Sequence, residues 1–246
     1  MMLAPRRYAI FEKAPLIQAL STRPGGVSAP PYHHLNLGLR TGDDPENVWA
    51  NRRKFFNHFG LDIERAVWPS QVHKDYIHVA LEPGVIIDCD AVITRVSGLT
   101  LTVQAADCAP VFIYDPRNHA CGVVHSGWRG TVKQIVYKTI RRMQKVFGSA
   151  PETLLVAVGA AIRQPHYQVD ETTAAHFDGA FLEEDGSGHY LLDVTGAIVR
   201  QLQNAGVDPV HIEVDPLSTY DHPDLFYSYR RDGSKSGRMM GLLCLL

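Results

Sequence analysis

The chain has no uninterrupted apolar run of the roughly 18 residues that a membrane helix needs. Its first twenty residues, MMLAPRRYAIFEKAPLIQAL, are broken by arginine, lysine, glutamate and proline, which excludes the apolar core of a signal peptide. A soluble, cytoplasmic protein is expected. Charge of one sign is also missing. Lys and Arg number 24 against 26 Asp and Glu, the net charge is -2, and the charges are mixed along the chain. No basic stripe of the kind nucleic acid binding requires is present. The densest run, RRMQK at 141–145, falls on the outer face of an expected helix and reads as a solvated surface. Cysteine is scarce: Cys89, Cys108, Cys121 and Cys244. In a cytoplasmic protein these do not make a disulfide framework. Small buried apolar residues are their default role, with at least one free to act as a ligand or nucleophile. Internal repeats, low-complexity tracts and Pro/Gly/Ser-rich linkers are all absent, so residues 1–246 are expected to form one domain.

What is present is an ordinary globular composition, 45% hydrophobic in 246 residues, enough for a sizeable core. Residues 45–60, PENVWANRRKFFNHFG, carry Val48, Arg52, Phe55, Phe56 and Phe59 at helical spacing with Gly60 as a stop. TVKQIVYKTIRRMQKVFG (131–148) places Val132, Ile135, Val136, Thr139, Ile140, Met143 and Phe147 on one face and ends at a capping glycine. Helices are also expected to start near Asp170 and Asp193. Strands are expected in 66–80, 90–96, 99–116, 120–126 and 154–162, and late in the chain in HIEVDP and LFYSYRRDG. The irregular alternation predicts an α/β fold with mixed sheets and helices outside. The long loop STRPGGVSAPPYHHLNLG (21–38) is expected to line a site.

Three residues stand where apolar strand-like runs end: His73 in SQVHKD, Cys108 in AADCAP and His125 in VVHSGW. Strand ends are rigid places to fix a side chain. Two imidazoles and a thiolate suit Zn²⁺, with copper as the softer alternative, and three protein ligands leave a fourth position open. An open zinc lowers the pKa of bound water from about 15.7 to about 7. The long separations between the three are unlike the paired spacings of zinc ribbons, so spacing by itself leaves a hydrogen-bonded structural role open. Asp75 and Asp107 are candidate acceptors for ligand N–H groups, with solvated or turn-forming roles as the alternative.

The segment VVHSGWRGT (123–131) turns from an apolar strand into a helix through two glycines. Glycine permits close approach of the backbone. A helix start there would seat an anion, Arg129 would add bidentate hydrogen bonds, and Trp128 would stack on a flat ring. Core packing for Trp128 and a surface position for Arg129 are the alternatives.

QVH, ADCAPV and VHSGWRG in this order resemble the YfiH family, also called the laccase-domain or multicopper polyphenol oxidoreductase family. HLNLGLRTGDDPENVWANR and FYSYRRDGSKSGR extend the resemblance over nearly the whole chain. The resemblance implies a single domain layered α/β/β/α and a zinc site of His73, Cys108 and His125. It also implies a purine nucleoside enzyme that cleaves adenosine, inosine and methylthioadenosine with phosphate and deaminates adenosine. A monomer with small-molecule partners is expected. Descriptions of the family as copper polyphenol oxidases, or as editing factors for peptidoglycan precursors, differ in reaction class. Two departures are visible: Ser218 replaces a cysteine of the family pattern, and GAAI (159–162) lacks the proline and cysteine of a GPCI-like strand end. Both are expected to alter the pocket wall.

Phosphorolysis needs cations for phosphate and a donor or metal for the departing base. Arg52, Arg129 and Arg230 are the cationic candidates, and Asn36 is a candidate to hydrogen-bond base or ribose. A metal-free hydrolase with Cys108 as nucleophile and His125 as base is the competing enzyme reading. Copper oxidation of phenols requires a type 1 site and a trinuclear cluster, and the HxH pairs that would feed one are absent. A non-enzymatic binding module would leave the Cys, His and Arg residues without a purpose.

Overall fold

A computed structural model describes residues 2–246. Its strands are β1 (Leu16–Leu20), β2 (Ala66–Pro69), β3 (Ile77–Val79), β4 (Gly84–Ile86), β5 (Ala91–Thr94), β6 (Thr100–Ala105), β7 (Ala109–Asp115), β8 (Ala120–Ser126), β9 (Leu155–Val158), β10 (Gln168–Val169), β11 (Leu182–Glu184), β12 (Tyr190–Leu192), β13 (Ile212–Val214) and β14 (Met239–Leu245). Helices are α1 (Pro45–His58), α2 (Trp128–Val132), α3 (Ile135–Phe147), α4 (Glu171–Ala174), α5 (Val194–Asn204) and α6 (Tyr229–Asp232). Among the described residues no helix is long and apolar enough to cross a membrane.

Two mixed sheets stack face to face. One has the order β1-β14-β6-β2-β4 and the other β13-β9-β7-β8-β5-β3, while β10-β12-β11 form a small third sheet. The period-2 alternation of strand side chains explains the stacking. In β7, Phe112 and Tyr114 join Leu101, Val103, Met239 and Leu243 in a core between the two large sheets. Val111 and Ile113, on the opposite face, join Ile135, Ile140 and Met143 of α3 and Ile198 and Leu202 of α5. On the far side of the first sheet, Phe55 and Phe56 of α1 pack on Ala19, Met240 and Leu242. The order of layers is α1, sheet, sheet, α3 with α5. This is the expected α/β/β/α arrangement. Each fully buried phenylalanine contributes about 1.5–3 kcal/mol of apolar transfer. α1 starts where the sequence places it: Asp44 accepts from the backbone N–H of Glu46, and Pro45 fills the first turn.

Four sequence expectations need correction. The stretches 66–80 and 99–116 are each two strands in different sheets, with residues 70–76 and 106–108 crossing between them. The helix expected over 131–148 is broken at Gln134, which has φ 62°, so short α2 precedes α3. LFYSYRRDG is not a strand, because Ser228 caps the short helix α6 by accepting from the N–H of Arg231. RRMQK lies on α3 with Arg141, Arg142, Gln144 and Lys145 exposed, and Gly148 caps the helix in the left-handed region, both as expected.

Candidate active site

The chain passes from one large sheet to the other between β2 and β3 and again between β6 and β7, and His73 and Cys108 sit in these two crossings. β8 brings the third group. It pairs with β7 so that Pro110 lies opposite His125 and Ala109 opposite Ser126. One step further along the ladder, Cys108 faces Gly127. A Cβ built on Gly127 would stand 2.5 Å from the Cys108 sulfur. β8 also pairs with β5, with Val124 opposite Ala91, so Asp90 falls beside His125. The ligand atoms of His73, Cys108 and His125 lie within 4.8 Å of one another. A sequence signal that spacing left open thus becomes a preformed group that could hold a metal ion.

Asp90 organises this group. It is buried, its Oδ1 lies 2.8 Å from His125 Nδ1, and it accepts the backbone N–H groups of Val72, His73 and Lys74 at 3.1, 3.0 and 2.9 Å. A carboxylate accepts only, so Nδ1 of His125 carries the proton and Nε2 is the atom free to act as a ligand. The same carboxylate holds His73 at φ 59°, a conformation that costs free energy outside glycine. Gln71 anchors the other side of this loop. Its amide exchanges two 2.7 Å hydrogen bonds with the backbone of Gln104 on β6.

Electrostatically, the group favours a thiolate. Burial pushes the Cys108 thiol up, but His125 and His73 outweigh it and bring it to about 6. Burial pushes His125 down, yet Cys108 and Asp90 raise it to about 9. Both shifts favour an imidazolium–thiolate pair in the metal-free group, and the two protons titrate as a pair. Burial raises the other three thiols, Cys89 to about 11. Iodoacetamide is accordingly expected to alkylate Cys108 first in chelator-treated protein. The rate should rise through about pH 6 instead of pH 9, because the thiolate is present above the lowered value. Peptide mapping after timed labelling checks this. Equal labelling of Cys89 or Cys121 would sink it.

The group opens into a cavity of about 780 Å³. Trp49, Trp68, Trp128, Tyr167 and Tyr229 line its walls together with five arginines, Arg40, Arg52, Arg129, Arg230 and Arg238. The family model described as multi-copper polyphenol oxidoreductase laccase matches residues 17–246.

The chain belongs to this family.

A purine nucleoside phosphorylase of Deinococcus radiodurans is 37% identical over 232 residues, covering 92% of this chain and 88% of its own. Purine nucleoside phosphorylase YlmD of Bacillus subtilis is 30% identical over 249 residues, covering 93% and 88%. Among solved structures, the hypothetical protein YfiH of Bacillus licheniformis superposes with a TM-score of 0.93 at 30% identity, covering 96% of this chain and 94% of that one. YlmD of Geobacillus stearothermophilus gives a TM-score of 0.92 at 31% identity, covering 97% and 94%.

Within this family member, the sequence-chosen residues divide. Arg52, Arg129 and Arg230 reach the cavity wall. Trp128 lines it too, with the Arg129 guanidinium 4.3 Å from its ring centroid. Asn36 does not reach the wall. It is fully buried; its amide donates to Thr41 and Asp43 and its oxygen accepts from the backbone N–H groups of Gly38 and Arg238. With every hydrogen-bonding position used, it braces the loop and has nothing left for base or ribose. The loop 21–38 as a whole stays off the wall, and the residues that follow it, Leu39 and Arg40, line it instead. Asp75 binds Lys138 rather than a ligand histidine. Asp107 accepts from the Thr219 hydroxyl and the Arg230 backbone N–H, so it ties the C-terminal segment to the site. Ser218, Ala160 and Ala161 are buried and outside the cavity lining, contrary to the expectation that they alter its wall. Asp90, Gln71, Tyr167 and Arg238 were not singled out from sequence. The available signal for Asp90 was a carboxylate directly before the apolar strand AVIT.

Proposed function

We propose that this protein is a zinc-dependent purine nucleoside phosphorylase acting on adenosine, inosine and methylthioadenosine, with adenosine deamination as a second reaction at the same centre. The observation that carries the reading is the placing of Arg129 and Arg230 in one cavity with the His73–Cys108–His125 group and aromatic walls. The naming of relatives as purine nucleoside phosphorylases supports it. Two imidazole nitrogens and one thiolate are a donor set for Zn²⁺, and His73, Cys108 and His125 would hold it. The metal supplies positive charge and Lewis acidity to the reacting groups.

In phosphorolysis an oxygen of phosphate forms a bond to C1′ as the C1′–N9 bond breaks. The bonding pair leaves with the purine, which takes up a proton, and ribose 1-phosphate is the second product. Arg129 is a cation for that phosphate; like the other cavity arginines it makes no ion pair among the described residues. Arg230 is held over Tyr167, 5.3 Å from the ring centroid, and donates to the Gln168 carbonyl, so its charge is fixed in direction. The faces of Trp128 and Tyr167 offer stacking surface for a purine. Deamination replaces the C6 amino group with water oxygen and releases ammonia. It also needs a proton carrier, and Asp107, whose two oxygens are already engaged, is not free to serve.

A second reading has an observation of its own. Cys108, His125 and Asp90 follow one another as nucleophile, base and orienting carboxylate, which is the order a cysteine hydrolase uses. A cell-wall precursor peptide would be its substrate. A multicopper centre has less support, because among the described residues His73, Cys108 and His125 form a single group of this kind. Chromatography of adenosine incubated with zinc-loaded protein and phosphate separates the readings. Adenine with ribose 1-phosphate is expected, inosine would report deamination, and His125→Ala should abolish both. A chelator should stop nucleoside cleavage and zinc restore it. Unchanged adenosine, with hydrolase activity that survives chelation, would replace the phosphorylase reading with the second one.

A further inference from the structure

The cavity carries more positive charge than one inorganic phosphate and a neutral nucleoside call for. Its five arginines fall into two groups. Arg129 and Arg230 stand on the segments that bear His125 and contact Asp107. The others gather around residues 37–40: Arg52 donates through Nε to the Leu37 carbonyl, the Leu37 N–H donates to the Arg238 carbonyl, and Arg40 is two residues beyond Gly38. Arg52 is the anomaly. It is 3% exposed, and it lies in the corner of two indoles set edge to face, 4.9 Å from the Trp49 centroid and 4.5 Å from that of Trp68. Among the described residues no carboxylate pairs with it, and neither of its two Nη nitrogens has a protein acceptor. Burying a cation without a counter-ion is costly, and stacking on indoles offsets only part of that cost. Burial lowers its pKa to about 10, which still leaves it charged at neutral pH. Arg238 also has no carboxylate partner among the described residues; its Nη1 donates to the carbonyls of Ser236 and Gly237, and it lies 5.5 Å from the Tyr229 ring centroid. The rigid, half-satisfied fork at the cavity wall matches the geometry of a phosphate or carboxylate group.

We infer that Arg52, with Arg40 and Arg238, forms a second anion subsite in the cavity, and that the protein binds purine nucleosides carrying an anionic group of their own, a nucleoside monophosphate being the simplest. This rests on the nucleoside reading of the cavity. It separates the anion that reacts, held by Arg129 and Arg230, from the anion that only anchors the substrate.

Calorimetric titration of the zinc-loaded protein in phosphate-free buffer tests it, with adenosine and adenosine 5′-monophosphate as probes. The monophosphate is expected to bind at least tenfold more tightly. Arg52→Gln should shrink that advantage to less than threefold, Arg52→Lys should keep part of it, and Arg129→Gln should leave most of it. The Arg52→Lys variant also guards against loss of fold at a buried position. A monophosphate no tighter than adenosine overturns the subsite and leaves the nucleoside reading standing. An advantage lost in Arg129→Gln but kept in Arg52→Gln also overturns it, because the ligand's phosphate would then occupy the reacting anion's place. Binding of the monophosphate with none of adenosine supports the subsite and removes the plain nucleoside as substrate.

Discussion

Asparagine at position 90 weakens metal binding by about 10- to 100-fold, although Asp90 is not one of the three candidate ligands. The carboxylate accepts hydrogen bonds from three consecutive backbone N–H groups and from the imidazole of His125. Asparagine keeps the size but offers one accepting oxygen, and its amide group turns hydrogen atoms toward donors. At least one of the four donors loses its partner. The 70–76 loop then no longer fixes His73 at its strained φ, and the Nδ1 proton of His125 is no longer assured, so two of the three ligands lose their orientation together. Asp90→Ala goes further. It leaves a buried imidazolium beside the thiolate without its carboxylate, a loss of about 3–5 kcal/mol of stability in the metal-free protein. Competition against a chromogenic chelator measures the first effect, and denaturant unfolding the second. Asp88→Asn is the control, since its exposed pair with Lys74 contributes little. Metal affinity within threefold of wild type in Asp90→Asn would show that the loop holds His73 without this carboxylate.

How much of this was legible beforehand depended on whether a residue's role is local or set by a ladder. The face of α3 was readable because a 3.6-residue period needs only its own segment, and Ile135, Val136, Ile140 and Met143 are buried as that period requires. The end of α2 was not. TVKQIV contains neither glycine nor proline, yet Gln134 adopts the left-handed region at φ 62° and ψ 35°. The three candidate ligand positions are visible in sequence as polar residues closing apolar runs. Their convergence was not, because it arises from crossings between two sheets that the alternation of 66–80 and 99–116 does not mark. Asp90 was missed for the same reason: its partner lies 35 positions away and becomes its neighbour only through the β5–β8 register. Asp75 is a candidate only by its closeness to His73 in sequence, with a solvated role as the alternative, and its side chain points to Lys138 on α3. Asn36 was misread because a buried amide that satisfies a loop and one that greets a ligand look alike in a one-dimensional motif. Arg52, Arg129 and Arg230, the cationic candidates for phosphate, lie on the cavity wall with Arg40 and Arg238, and the division of the five into two groups depends on contacts that a one-dimensional motif does not show.

A single methyl group at Gly127 is expected to disable the site while leaving the fold intact. The residue has φ -88° and ψ -179°, extended backbone that alanine adopts without penalty, so any effect is steric. The added Cβ would meet the Cys108 sulfur at 2.5 Å, its own Cβ at 3.5 Å and Cδ2 of His73 at 3.6 Å. Sulfur cannot stay where it is, and β7 and β8 fix both backbones through their ladder. The thiol has to rotate or the strand ends have to part, and either motion takes one ligand away from the other two. A displacement of about 1 Å in a preorganised site costs on the order of 10²-fold in activity, whereas overpacking at one position costs about 1–3 kcal/mol of stability. Gly127→Ala should therefore lose metal and nucleoside cleavage together, while keeping a cooperative unfolding transition. Gly130→Ala is the comparison. Its Cβ would meet the buried Ile135 Cγ2 at 3.2 Å, a contact eased by a shift of a few tenths of an ångström, and the carbonyls of His125 and Lys74 at ordinary distances of 3.5 and 3.9 Å, within a helical turn that alanine favours. Metal content of the purified variants, read beside their melting curves, decides the matter. Full metal occupancy in Gly127→Ala would mean that Cys108 is not a ligand, and the cysteine hydrolase reading would then take precedence. Loss of metal with a retained fold would mean that the first glycine of SGWRG serves to let a strand end lie against a thiolate. The backbone's closest approach at this corner would then be to a ligand residue of the metal, and the binding of phosphate would fall to the guanidinium of Arg129 without help from a long helix.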